Sequence, residues 1–432
     1  MRRAMLMILA AVVSVAVLLL ALVGLLYLTR GTPVEAVRTL EGEMPGAGDS
    51  AFRATAEVIG KMRLLNGNAL ELLSNGDETY PRLWEDLRSA RRLITLQMYY
   101  CRPGAVADTL KAILTERARA GVRVLFLHDA FGSQDLPDEY FDELRAGGVE
   151  TSTFRPVHWY SIDKASHRSH IRVVVVDGAI GYTGGFGIDD KWLGDGLTDG
   201  QWRETNVRFR GPAVLQHQAT FVAGWAEATG QLLAGELLFP SEQFEELEGD
   251  HYASLMHAAP TIGSTAAERF LALSIAAARR TLYITNAYFV PDDDFRRLLM
   301  ESARSGVDVR ILTAGDKTDV PATRFAGRAH YEDLLAAGVR IYEYQPSMMH
   351  AKTFVVDGVW SSVGTMNFDT RSLAFNDETN LVAHDAEFGA IMDSVFVADL
   401  SHSRELVLEE FVERSWTEKL RESVAMLLTR IL

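Results

Sequence analysis

Three textures of hydrophobic and polar residues follow one another along the chain. The first is a run without a charge, Ala4 to Leu28, rich in Leu, Val and Ala and preceded by Arg2 and Arg3. At about 1.5 Å per helical residue it can cross a hydrocarbon core of roughly 30 Å, and it lacks the short apolar core and small-residue cleavage site of a signal peptide. The expectation is an uncleaved transmembrane helix within residues 1–30. The second texture, 31–66, is a linker and amphipathic lead-in containing the Gly-rich stretch Glu43-Met44-Pro45-Gly46-Ala47-Gly48-Asp49. From 67 onwards short β-branched runs alternate with longer amphipathic stretches, which predicts an α/β fold.

That third texture repeats itself. Ser89-Ala90-Arg91-Arg92-Leu93-Ile94, with Tyr100 after it, matches Ala277-Ala278-Arg279-Arg280-Thr281-Leu282 with Tyr288. Arg117-Ala118-Arg119-Ala120-Gly121-Val122 matches Ser302-Ala303-Arg304-Ser305-Gly306-Val307, and Ala146-Gly147-Gly148-Val149 matches Ala336-Ala337-Gly338-Val339. Each unit reads as a helix end, a Gly cap and a strand, a pattern any α/β chain can produce.

A more specific match follows. His170-Ile171-Arg172-Val173-Val174-Val175-Val176-Asp177-Gly178 is answered by His350-Ala351-Lys352-Thr353-Phe354-Val355-Val356-Asp357-Gly358. With 11 His and 43 Lys plus Arg in 432 residues, chance supplies about 0.07 such patterns per chain. Two at equivalent points of a repeat are a signal. After each comes a glycine motif, Tyr182-Thr183-Gly184-Gly185 or Ser362-Val363-Gly364-Thr365-Met366-Asn367, and then Glu204-Thr205-Asn206 or Glu378-Thr379-Asn380. The chain thus divides into halves at 67–250 and 251–432.

Composition narrows the chemistry. Acidic residues number 58 and the net charge is -15, which argues against a protein that coats nucleic acid by bulk attraction. A single cysteine, Cys101, excludes an internal disulfide and any multi-cysteine metal site. His167 stands near His170, but no carboxylate or Cys at ligand spacing supports a metal pair, so no metal and no cofactor are expected.

In a strand, His170 and Arg172 point to one face, and so do His350 and Lys352. An imidazole can act as nucleophile or proton carrier near neutral pH, and an adjacent cation attracts anionic oxygens. Two such pairs brought together supply a nucleophile, a general acid and a cationic cradle for a phosphate ester. Asp177 and Asp357 begin tight Asp-Gly turns, which suits a structural role. Glu204 and Glu378 are the carboxylates suited to orienting an imidazole.

These paired motifs resemble those of the phospholipase D superfamily, and the surrounding sequence is similar to its bacterial cardiolipin synthase branch. The resemblance runs from about Gly67 to the C-terminus through Gln201-Trp202-Arg203-Glu204-Thr205, Ala287-Tyr288-Phe289-Val290-Pro291-Asp292 and Asn367-Phe368-Asp369-Thr370-Arg371-Ser372. It implies two fused α/β domains related by a pseudo-twofold, one site at their interface and a covalent phosphohistidine intermediate. By that analogy His170 is the nucleophile and His350 the general acid and base, with the reverse nearly as acceptable. Arg172 and Lys352 hold phosphate oxygens, Asp177 and Asp357 complete the catalytic motifs, Glu204 and Glu378 orient the imidazoles, and Asn367, Ser372 and Thr183 contact substrate.

The implied substrate is phosphatidylglycerol or a related glycerophospholipid at a membrane, converted to cardiolipin if a second phosphatidylglycerol accepts, or to phosphatidic acid if water does. A nucleic-acid phosphodiesterase and a non-catalytic lipid-binding protein remain the rivals from other classes. Two departures from the pattern fall in the first half: Arg172 where the family usually has Lys, and Gly187 where an Asn would follow the Gly-Gly. Arg2 and Arg3 against Arg30 and Arg38 leave the positive-inside count nearly balanced, and the expectation is a globular part facing outward. The sequence leaves the oligomeric state open.

Overall fold

The computed structural model describes residues 2–29, 42–156, 167–241, 248–259 and 266–426. Residues 30–41 of the expected linker, Arg30 and Arg38 among them, lie outside these. The apolar run forms one helix, Arg2–Thr29, of 28 residues, and its large side chains from Met5 to Val23 are exposed. It is long and apolar enough to cross a membrane.

The body is a mixed α/β structure built on a continuous sheet of 15 strands. At its centre Leu65–Ser74 and His251–Ala258 pair antiparallel, with Leu65 opposite Ala253 and Asn68 opposite His251. Outward from this seam the two halves repeat one order. The first half runs Thr205–Arg210, Ile180–Gly184, Val173–Val176, Leu93–Met98, Arg123–Asp129, Glu150–Phe154; the second runs Glu378–His384, Trp360–Gly364, Lys352–Val356, Thr281–Asn286, Asp308–Ala314, Arg340–Tyr344 and adds Ser403–Leu406 at the edge. Pairing is antiparallel near the seam and parallel farther out, where helices such as Ala105–Arg119 and Asp293–Arg304 make the crossovers, and the edge strand Ser403–Leu406 is antiparallel again. A pseudo-twofold through the seam relates the halves.

Strand composition follows from this layering. Val173 to Val176 are buried on both faces, Val174 and Val176 against Leu110 and Ile113 and Val173 and Val175 against Phe221 and Trp225, so the strand carries no polar face. The same apolar layer continues across the seam, where Val207, Phe209 and Leu255 meet Val363 and Leu381.

Each motif strand ends in a matched turn. Asp177 and Asp357 both have φ of 54°, followed by Gly178 at 70° and Gly358 at 69°, a left-handed pair that Asp and Gly tolerate. The Asp177 carboxylate accepts from the backbone N–H groups of Arg91, Arg92 and Leu93 at 2.8 Å each. Asp357 does the same for Arg279, Arg280 and Thr281 at 2.7–3.2 Å. These aspartates therefore pin the start of the neighbouring strand.

Part of the expected lead-in belongs to the far half. The helix Ser50–Gly60 buries Phe52 and Ala56, the Phe52 ring stands edge-on to Trp360 with centroids 5.0 Å apart, and the Ala47 N–H donates to Ala277 O at 3.0 Å. The amphipathic pattern showed that one face would be buried, and the partner is the second half.

Candidate active site

Both histidines stand where the halves meet, just before the regular strands. Val173–Val176 and Lys352–Val356 begin after them, so the expected strand placement of His170, Arg172 and His350 shifts to an extended lead-in. The reason is that this backbone pairs with the opposite half. The His170 N–H donates to Asp377 O at 3.0 Å and the His350 N–H to Arg203 O at 2.8 Å; Met348–Met349 runs parallel to Trp202–Arg203 as a small separate sheet.

The side chains cross over in the same way. His170 Nδ1 lies 3.0 Å from the Glu378 carboxylate, and His350 Nδ1 lies 2.6 Å from Glu204 Oε2. Each imidazole is thus oriented by the carboxylate of the other half, and Nε2 is the nitrogen left for chemistry. Both carboxylates are fully buried, and the histidines are 7% and 3% exposed. Glu378 also accepts from Thr365 Oγ1 at 2.5 Å, while Glu204 accepts from Trp192 Nε1 at 3.2 Å and the Thr205 N–H at 3.1 Å.

The cations lie beneath the imidazoles. Arg172 donates to His170 O at 2.6 Å and Phe186 O at 3.2 Å, and Lys352 Nζ donates to His350 O. Burial, reinforced by Arg172 and Lys352, holds both imidazoles well below the ordinary histidine range, which favours the unprotonated form that a nucleophile needs. Burial pushes the Glu204 and Glu378 carboxyls up and brings Lys352 down to about 7.

A cavity of about 310 Å³ opens onto this centre, and His170, His350 and Arg172 are in its wall with Asn367 and Ser372. Asn367 Nδ2 reaches Ser372 Oγ at 3.3 Å. Three expected site residues are placed elsewhere. Asp177 and Asp357 hold backbone at the other end of their strands and are outside the cavity wall, a structural place in contrast to the catalytic one that the resemblance implies. Thr183 is fully buried and its hydroxyl donates to Arg172 O at 3.0 Å, so it supports the cation from behind and contacts no substrate space.

Sequence reasoning missed the aromatic wall. Tyr99 stands edge-on to His170 at 5.1 Å, Trp202 lies over His350 at 4.5 Å, and Lys191 Nζ sits 3.6 Å from the Trp202 ring centroid and 3.7 Å from that of Tyr100. Their proximity in sequence to the motif segments was the available signal.

Two fused α/β halves, each sending a His and a cation to one interfacial cavity, define a protein of the phospholipase D superfamily. The description "Cardiolipin synthase, PLD-like domain" matches residues 271–400. Cardiolipin synthase from Geobacillus kaustophilus is 35% identical over 376 residues, 87% of this chain and 74% of that protein. Cardiolipin synthase A from Pseudomonas syringae pv. syringae is 32% identical over 384 residues, 89% of this chain and 79% of that one. A phosphatidylserine synthase structure from Haemophilus influenzae superimposes with a TM-score of 0.68 at 14% identity, over 88% of this chain and 99% of that chain, a likeness of fold. The chain belongs to the cardiolipin synthase family.

Proposed function

We propose that the protein transfers a phosphatidyl group between phospholipids through a phosphohistidine, making cardiolipin from two phosphatidylglycerol molecules with release of glycerol. The observation that carries this reading is the pair of imidazoles in one cavity, each with Nδ1 occupied by the opposite half's glutamate. In the first step one Nε2 forms an N–P bond, the P–O bond to glycerol breaks, and the departing oxygen takes the Nε2 proton of the other imidazole, which enters the step as imidazolium with its Nδ1–H held by the glutamate. In the second, that imidazole, now a base, takes the proton of the acceptor's terminal hydroxyl as the O–P bond forms and the N–P bond breaks. His170 is assigned as nucleophile and His350 as acid and base. Arg172 and Lys352 offset the charge on the phosphoryl oxygens.

The helix Arg2–Thr29 anchors the chain in the bilayer that holds its substrates, with the globular part on the outer side. The domains are the anchor 1–30, the lead-in 31–66, and the catalytic halves 67–250 and 251–432. Purified full-length protein in detergent with phosphatidylglycerol, followed by lipid mass spectrometry, tests the activity. Cardiolipin with free glycerol is expected. Phosphatidic acid alone would replace transfer by hydrolysis, and cleavage of plasmid DNA without any lipid product would sink both.

A further inference from the structure

Three arginines are in the cavity wall, and they are differently occupied. Arg172 is committed to two backbone carbonyls. Arg102 is paired with Asp135 at 2.7 Å and donates to Gly132 O at 2.8 Å. Arg371, on the short helix Thr370–Ala374, is half-buried in the same wall and among the described residues has no carboxylate within ion-pair distance. Its charge bears on His170 and Tyr99. The two carboxylates of this wall are themselves engaged: Asp319 accepts from Tyr288 at 2.8 Å and Asp369 from the Ser372 N–H at 2.7 Å.

Two buried acceptors accompany this cation. Asn367 and Asn376 are 3% and 6% exposed, both are in the cavity wall, and the Oδ1 of each has no hydrogen-bond partner among the described residues. Leaving a buried carbonyl oxygen unpaired is costly, and a ligand hydroxyl would satisfy it. A cation with no ion pair among the described residues, beside two acceptors with no donor there, is complementary to an anion that carries hydroxyl groups.

We propose that Arg371, with Asn376 and Asn367, receives the headgroup of the acceptor lipid: the guanidinium takes that lipid's own phosphodiester and the amide oxygens take its glycerol hydroxyls. This rests on the transfer reading above. One phosphodiester is cradled by Arg172 and Lys352 at the imidazoles, and a second lipid brings a second phosphate that needs a cation of its own. The arrangement selects a glycerol-phosphate head over an ammonium-bearing one, because an ammonium would face Arg371 with like charge and offer the phosphate no better partner.

The test is a competition in the full-length protein. Phosphatidylglycerol is supplied as donor with 1-propanol present, and cardiolipin and phosphatidylpropanol are quantified together. Propanol has the hydroxyl and lacks the phosphate, so the product ratio reports acceptor recognition while general damage cancels. Arg371→Gln is expected to lower the ratio of cardiolipin to phosphatidylpropanol about tenfold, with Arg371→Lys recovering part of it and Asn376→Ala lowering it about threefold. An unchanged ratio in Arg371→Gln, whether both products fall together or neither falls, would overturn the proposal and leave transfer itself intact. A wild-type protein that makes phosphatidylpropanol and no cardiolipin would overturn both readings at once.

Discussion

The two half-sites share their wiring and differ in their furnishing. In both, a buried imidazole is held by a carboxylate from across the interface and underlain by a cation that donates to the histidine's own carbonyl. Around His350 the neighbours are Trp202, Trp192 and Tyr288. Around His170 the aromatic neighbour is Tyr99, and the positions equivalent to Trp202 and Trp192 are the polar Asn376 and Ser372. Where the second half places Thr365 against Glu378, the first has Gly185, whose added Cβ would stand 2.3 Å from Glu204 Oε2. Under the proposed transfer, the duplicated parts serve proton transfer between two similar imidazoles, and the divergent parts are where two substrates that are not symmetric about the phosphorus would be told apart.

The most severe way to break the comparison is to remove either imidazole. His170→Ala and His350→Ala should each lower cardiolipin formation by more than about a thousandfold, and the double variant should be little worse than either, because the two act as one unit. A double variant far below both singles in a lipid mass-spectrometry assay would deny that coupling. Next come the carboxylates. Glu204→Gln and Glu378→Gln should each cost about a hundredfold in kcat, and histidine NMR should find His350 perturbed by the first and His170 by the second. The opposite assignment would show that the crossing is wrong.

The cations give a smaller, pH-dependent effect. Lys352, brought down to about 7 by burial, is charged below that pH and loses its proton as pH rises through it, so kcat/KM should fall about tenfold on the alkaline side. Lys352→Arg, whose guanidinium stays charged, should flatten that limb, and the first half's natural Arg172 shows the substitution has a place in this fold. The smallest expected change is in stability. Asp177→Ala deprives three backbone N–H groups of their acceptor and should cost about 2 kcal/mol in thermal or denaturant unfolding, with the loss seen in the melting curve and not in turnover per folded molecule.

The repeat, its two His motifs and the α/β class were legible in the chain because they are local patterns that recur. The crossing was not. Glu204 follows His170 and Glu378 follows His350 in sequence, so each carboxylate reads as the partner of its own half, and only closure about the pseudo-twofold exchanges them. Arg371 was visible within the Asn-Phe-Asp-Thr-Arg-Ser segment, but sequence does not say which cation has no ion pair among the described residues. Asp177 and Asp357 were visible as Asp-Gly turns, and it was the family resemblance that counted them with the catalytic motifs.

The docking of Ser50–Gly60 on the second half also fixes an order of events during synthesis. Phe52 leaves the ribosome roughly 300 residues before its partner Trp360, a delay of about 15–60 s at ordinary elongation rates. Through that interval a helix with an apolar face stands without its partner while the first half folds beside it. A piece of the body that is seated late is therefore among the first to be made.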